Sequence, residues 1–351
     1  MGVLLIRADA YAGIGIGHVM RCIALAQAWQ EIDGKCVFAS ALISPDLTAR
    51  LKSEHIDVEH ISATPGSEDD ALLLRELANT CNAEWIAVDG YAFGADYQHI
   101  VKKTGLPVLF FDDNGHAEYY FADIVLNQNL HADKSLYSDK EPYTKLLLGP
   151  EYVLLRRDFL QWREWKRSIP TVGKKVLVTM GGGDPYNVTL KVIRALQDIK
   201  LAGFEVRAVV GITHPYLGVV QTEAKQAQIP IQLIQNPENM PGLMAWADLA
   251  VSAGGTTCWE LAFMGLPAVL IITAENQVKS TSMLQRKGLF QDLGWFKNIE
   301  NWQLSDAVIT LLFDDIKRQS YSEILRKSVD GLGSSRVVEA MIRSKKRILV
   351  S

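Results

Sequence analysis

The strongest constraint on this chain is a grammar repeated in both halves: a short apolar run, a glycine-rich turn, then an amphipathic stretch with helical spacing. Uninterrupted apolar runs read as strands covered on both faces, and strands that alternate with helices build parallel βαβ layers. In the first half, residues 3–6, 35–39, 58–61, 85–88, 107–111 and 123–126 read as strands, with helical patterns over 19–32, 45–54, 69–79 and 97–104. In the second half, strands are expected at 175–180, 205–210, 231–234, 249–252 and 268–272, and helices at 187–201, 214–228, 241–247 and 257–264. Between the halves, residues 142–173 lose the pattern and turn polar and rich in Trp and Arg before Pro170 and Gly173, which makes that stretch the candidate linker. A length of 351 residues suits two such domains.

Charge and cysteine usage narrow the function classes. With 36 basic and 40 acidic residues the net charge is −4, which gives no general drive toward nucleic acid. The four cysteines Cys22, Cys36, Cys81 and Cys258 are far apart and lack metal-ligand spacing, as expected of reduced thiols in a cytoplasmic protein. Residues 3–6 are too few to cross a bilayer and run into Arg7 and Asp9, so they read as a buried strand and not as a signal peptide. No integral membrane segment and no metal site is expected.

Three glycine turns carry the chemistry. They are Gly13 to His18 after the first strand, Met180 to Pro185 opening the second half, and Ser252 to Thr257 leading into Trp259 and Glu260. Glycines between a strand and a helix let the backbone approach a ligand, and the free N–H groups at the helix start favour phosphate. A glycine at a tight turn can equally be structural, and none of the three fits a dinucleotide fingerprint or a P-loop. The third turn is the most informative. Ser252, Thr256 and Thr257 set hydroxyls beside Gly254 and Gly255, as a diphosphate needs, and Glu260 stands where it could accept from a ribose diol. Glu260 could also be only a partner of the helix dipole.

His18 is the most reactive candidate of the first half. At a helix N-terminus the dipole keeps the imidazole neutral, and a neutral histidine in a cleft is a competent general base. It could also simply cap the helix. The other six, His55, His60, His99, His116, His131 and His214, read as surface residues.

These residues resemble a known family. Arg7 and Asp9, the Gly15–Cys22 segment, Val88–Tyr91, Phe111–Asp113, Asn127–Asn129, Gly149–Arg156, Met180–Asp184, Ser252–Glu260, Asn276–Gln277 and Asp330–Arg336 are similar to the nucleotide-sugar hydrolase of pseudaminic acid biosynthesis, in the same order along nearly the whole chain. The resemblance implies an α/β GT-B fold, with two Rossmann-like domains whose parallel sheets face a central cleft: residues 1–165, residues 170–335, and a helix over 336–349 returning to the first domain. It implies metal-independent hydrolysis of UDP-2,4-diacetamido-2,4,6-trideoxy-β-L-altrose, with water attacking the anomeric carbon and no cofactor. The implied roles are His18 as base, Tyr91 orienting sugar or water, and Asp9 and Arg21 fixing the loop. Gly17, Gly181, Gly182, Asn276 and Gln277 would lie on the sugar or phosphate side. Ser252, Gly254, Gly255, Thr256 and Thr257 would meet the diphosphate, and Glu260 the ribose. The partners expected are the UDP-sugar and water, with the protein a monomer. Two departures, a third glycine before Asp184 and Gly90 before Tyr91, leave the sugar open. An inverting glycosyltransferase with a hydroxyl acceptor, or a non-catalytic nucleotide-sugar sensor, would read the same in these turns.

Overall fold

The computed structural model describes residues 2–10, 16–211 and 214–348; Gly13 and Gly15 of the first glycine turn lie outside the described residues. The chain divides into two compact α/β units. The first holds the N-terminal segment up to Arg157 other than Ile16–Gly17, together with the C-terminal segment from Gly331, and the second holds Asp158–Asp330 with Ile16–Gly17.

The first unit is built on a seven-stranded sheet, all its pairings parallel. Its strands are β1 (Val3–Ala8), β2 (Lys35–Ser40), β3 (Asp57–His60), β4 (Ala83–Asp89), β5 (Val108–Phe111), β6 (Ile124–Asn127) and β7 (Lys145–Leu148), in the order β3-β2-β1-β4-β5-β6-β7. The order reverses between β1 and β4, the switch point at which open α/β sheets bind ligands. Alternate residues explain the unbroken apolar runs. Leu4 and Ile6 of β1 pack on one face with Ile23, Trp29 and the C-terminal helix residues Val337 and Met341. Leu5 packs on the other face with Leu74, Tyr97 and Val101. Both faces are buried, so a polar residue there needs a buried partner, as Arg7 of β1 has in Asp70.

The second unit carries a six-stranded parallel sheet of β8 (Lys175–Thr179), β9 (Glu205–Val210), β10 (Ile231–Gln235), β11 (Leu249–Ala253), β12 (Ala268–Ile272) and β13 (Gln291–Trp295), in the order β10-β9-β8-β11-β12-β13. Here too the order reverses, between β8 and β11.

Every strand expected from the sequence is present within a few residues, but two edge strands escape it. The run of β7 is short and begins at Lys145, and β13 is broken by Asp292 and Gly294. Edge strands need no second apolar face, so their pattern is weak. The helices Val278–Arg286, Asn301–Phe313 and Asp315–Ser328 were likewise not read. The expected linker is largely ordered structure. Arg167 donates to the carbonyls of Ala247 (2.5 Å), Met244 (2.6 Å) and Met264 (3.3 Å), and Arg326 donates to those of Arg163 (2.5 Å) and Phe263. The fully buried Arg318 binds the carbonyls of Pro170 and Leu312. Arg167 of the polar stretch thus satisfies carbonyls at the ends of the helices Met240–Trp246 and Thr257–Phe263, which otherwise lack partners.

Candidate active site

Parallel register brings four strand ends of the first sheet level. Ala8 lies opposite Asp89, Asp89 opposite Phe111, and Asn127 opposite Leu148. The residues leaving those ends, Asp9, Asp89–Tyr91, Asp112–Asp113 and Asn127–Asn129, therefore gather at one edge together with the start of the helix Gly17–Gln30.

His18 is the second residue of that helix and is only 6% exposed. Its Nδ1 lies 3.4 Å from Asp89 Oδ1, and its ring meets Tyr91 edge-on with centroids 5.1 Å apart. One turn later Arg21 grips Asp89 through Nε (2.6 Å) and Nη2 (2.7 Å), and reaches Asp113 Oδ1 through Nη1 (2.8 Å). Tyr91 donates its hydroxyl to Asp113 Oδ2 (3.0 Å), and Asn129 donates to Asp113 Oδ1 (2.8 Å). A two-pronged guanidinium fixes a carboxylate in plane and position. Asp89 is thus held rigidly behind the histidine. At 3.4 Å the carboxylate closes no hydrogen bond with Nδ1, but its charge favours a proton there, which leaves Nε2 as the basic nitrogen.

Burial first, with help from Arg21 and against Asp89, pushes the His18 imidazole below its usual value. The expected direction is the same, but exclusion from water leads among the causes, where the sequence argument invoked the helix dipole. Burial would raise the Asp113 carboxyl, yet Arg21 outweighs it and holds the group far below the carboxylate range.

Asp9 needs a correction. Its Oδ1 accepts from the Ser40 hydroxyl (2.9 Å) and the N–H groups of Ala41 (2.8 Å) and Leu42 (3.0 Å), while Oδ2 faces Arg7 at 2.8 Å. Arg7 in turn forms a two-pronged pair with the fully buried Asp70. Three donors on one oxygen and a cation beside the other make Asp9 the anchor of the loop after β2. Two histidines were also misplaced by the sequence reading. His214 is 4% exposed with Nε2 3.3 Å from Asp184, and His116 lies half-buried beside Tyr91. Asp89 and Asp113, the partners of the base, were not singled out either. Their signal was there: an acidic residue directly ending an apolar strand has no reason to be there for packing.

The second sheet gathers its own edge. Thr179 of β8 lies opposite Ser252 of β11, and Ala253 opposite Ile271 of β12, so the turns 180–184, 254–257 and 273–277 emerge together. Gly181 has φ +85° and is exposed, and Asp184 closes that turn by accepting from the N–H groups of Val188 (2.8 Å) and Thr189 (2.7 Å). A methyl group on Gly254 would sit 2.2 Å from Thr281 Oγ1, so only glycine fits there. Gln277 fastens its own turn by accepting from the N–H (2.9 Å) and hydroxyl (3.2 Å) of Thr273. The helix Thr257–Phe263 starts without a side-chain cap at Thr256, although Cys258 and Trp259 already donate their N–H groups to the carbonyls of Gly255 (3.0 Å) and Thr256 (3.1 Å). Gly255, Thr256, Thr257 and Glu260 are partly accessible around that start, and Asn276 is exposed nearby in sequence to Gln277. Ser252 differs from expectation. It is fully buried and donates to the Ala253 carbonyl (3.1 Å), which shapes the turn from within. Among the described residues, no group of three or more His, Cys, Asp and Glu is placed to hold a metal ion. No helix of the described residues is long and apolar enough to cross a membrane.

Comparison with known proteins extends this picture. Residues 176–288, within the second unit, match the Glycosyltransferase family 28 C-terminal domain. Over whole sequences, the chain is 26% identical to an uncharacterized protein of Methanocaldococcus jannaschii, across 77% of the chain but only 55% of that longer protein. It is 24% identical to the spore coat polysaccharide biosynthesis protein SpsG of Bacillus subtilis, across 92% and 93% of the two chains. It is 25% identical to the UDP-2,4-diacetamido-2,4,6-trideoxy-beta-L-altropyranose hydrolase of Campylobacter jejuni, across 81% and 97%. Acinetobacter baumannii MurG superposes with a TM-score of 0.68 at 16% identity, across 97% and 99%, so the two Rossmann-like units have the fold of the GT-B glycosyltransferases. The family resemblance read from the motifs therefore recurs in whole-chain relatives.

Proposed function

We propose that this protein is a UDP-sugar hydrolase acting at the anomeric carbon, and that its substrate is a UDP-2,4-diacetamido-2,4,6-trideoxy sugar of nonulosonic acid biosynthesis, the β-L-altrose form by likeness to the Campylobacter relative. The observation that carries the reaction class is His18, buried, held below its usual pKa and backed by a carboxylate that Arg21 locks in place. Water gives its proton to Nε2 of His18 as its oxygen attacks the anomeric carbon. The C–O bond to the β-phosphate breaks and UDP leaves with the electron pair. The imidazolium that forms is stabilised by Asp89. The uncapped helix start at Thr256 and Thr257 supplies N–H groups for the charge growing on the β-phosphate, with no metal required. Glu260 accepts from the ribose hydroxyls, and Gly181, Gly182, Asn276 and Gln277 border the sugar and phosphates. General-base assistance is worth about 10²–10⁴-fold, and removal of a preorganised donor costs about 10²–10³-fold.

A second reading is favoured by the family 28 domain match: an inverting glycosyltransferase in which His18 deprotonates a hydroxyl acceptor. Incubation of the purified protein with the UDP-sugar and no acceptor separates the two. Equal amounts of UDP and free sugar mark the hydrolase, whereas turnover only after an acceptor is added marks the transferase.

A further inference from the structure

We propose that His116 is a positioning residue of the first-sheet site: its ring, bound to Asp112, buttresses Tyr91 against His18, and its charge offsets one of the three carboxylates gathered at that sheet edge. Three rings stand in a row. His18 meets Tyr91 edge-on (5.1 Å, 71°), and Tyr91 meets His116 edge-on (5.7 Å, 83°). Each ring has its own acidic partner: Asp89 at 3.4 Å from His18 Nδ1, Asp113 at 3.0 Å from the Tyr91 hydroxyl, and Asp112 at 3.0 Å from His116 Nδ1. Asp112 is anchored from the other side by the N–H groups of Asn114 and Gly115 (2.6 Å each) and the hydroxyl of Tyr120 (2.5 Å). It is a fixed carboxylate at the end of β5, able to hold a cation in one orientation.

The charges give this arrangement a purpose. Asp89, Asp112 and Asp113 carry three negative charges, and Arg21 supplies one positive charge between Asp89 and Asp113. With His116 neutral, the sheet edge would carry two uncompensated negative charges, a field that draws a proton onto His18 and spends it as a base. With His116 charged, one remains, and the imidazolium formed on His18 during turnover neutralises it. Burial lowers the His116 pKa, but Asp112 and the Phe93 backbone, with Asp113 behind them, outweigh it and raise it above its usual value, which favours the charged ring. The same charge is one of the influences that hold His18 down. A histidine that merely filled space would leave the titration of His18 alone.

The activity part of this inference rests on the proposed hydrolase; the titration part does not. The ring titration of His18 in the full chain, followed by NMR and assigned with His18→Asn, is to be compared in wild type, His116→Gln and His116→Phe. In both variants the His18 midpoint moves up, and the acid limb of kcat/KM moves up with it, so that turnover just above the wild-type limb falls while KM stays within a few-fold. His116→Phe keeps a ring against Tyr91, so it loses less activity than His116→Gln on the alkaline plateau. A His18 midpoint unchanged in whichever variant folds overturns the proposal. If the wild type releases no UDP, the hydrolase reading fails by itself, and the direction of the NMR shift still decides the role of His116.

Discussion

Asp89→Asn alters the packing and the chemistry of the first sheet edge by amounts that can be measured separately. Asp89 is fully buried, takes two bonds from Arg21 at 2.6 and 2.7 Å, and faces His18 Nδ1 at 3.4 Å. Asparagine keeps the shape but removes the charge. Loss of one partner of a buried ion pair costs about 3–5 kcal/mol, and because Arg21 retains Asp113 at 2.8 Å, the lower end, about 3 kcal/mol, applies. At about 2–4 °C per kcal/mol for a unit of this size, the first unit should melt about 6–12 °C earlier. At a temperature where the variant is still folded, kcat should fall about 10²–10⁴-fold, the share assigned to a correctly oriented base. The two residues act as one device, so His18→Asn combined with Asp89→Asn should be no more than a few-fold slower than the slower single variant. Circular dichroism melts and a UDP-release assay measure both quantities. A double variant whose losses multiply, or an Asp89→Asn enzyme within a few-fold of wild type, would refute the argument that Asp89 works through His18.

Five further outcomes follow from the same geometry. His18→Asn should lower kcat steeply with UDP affinity by calorimetry nearly unchanged, and activity within a few-fold of wild type contradicts the base assignment. Glu260→Ala should raise KM or Kd with little change in kcat; a fall in kcat alone shows that it does not hold the ribose. Because the His18 pKa lies below 6.5, the basic form persists as pH falls through 6.5, so the acid limb of kcat/KM should have its midpoint beneath that value. The stability of the fold should respond with two signs. The raised pKa of His116 contributes stability that is full below about 6.5 and fades as pH rises through its folded value, whereas buried neutral His18 costs stability as pH falls below 6.5. Denaturant midpoints for wild type and His116→Gln should therefore converge as pH rises, and a gap that widens instead contradicts the charge assigned to His116. Prolonged EDTA treatment should leave turnover unchanged, and loss restored by a divalent cation would overturn the metal-free reading.

The strand-and-helix skeleton was legible because strands buried on both faces cannot hide: the runs ending at Ile6, Val88 and Ile272 stand out against polar turns. Edge strands β7 and β13 were not, since an edge tolerates Lys145 or Asp292. At the site, His18, Tyr91 and Arg21 were chosen from the motif and fall together with Asp89 and Asp113. The carboxylates were overlooked because spacing along the chain says nothing of register, and register alone sets Asp89 beside Ala8 and Phe111. Asp9 was overvalued for the converse reason. Proximity to a glycine loop does not reveal that Ser40, Ala41 and Leu42 already occupy its oxygen. Ser252 is similar, a hydroxyl in a phosphate-like turn whose own carbonyl neighbour claims it.

The most direct test of the central claim is turnover in ¹⁸O-labelled water without any acceptor, followed by mass spectrometry of both products. Attack on the anomeric carbon by a water that His18 has deprotonated puts the label on the released sugar and none in UDP, and His18→Asn abolishes that labelling. Label in the β-phosphate of UDP, or labelled sugar formed as fast by His18→Asn as by the wild type, contradicts it.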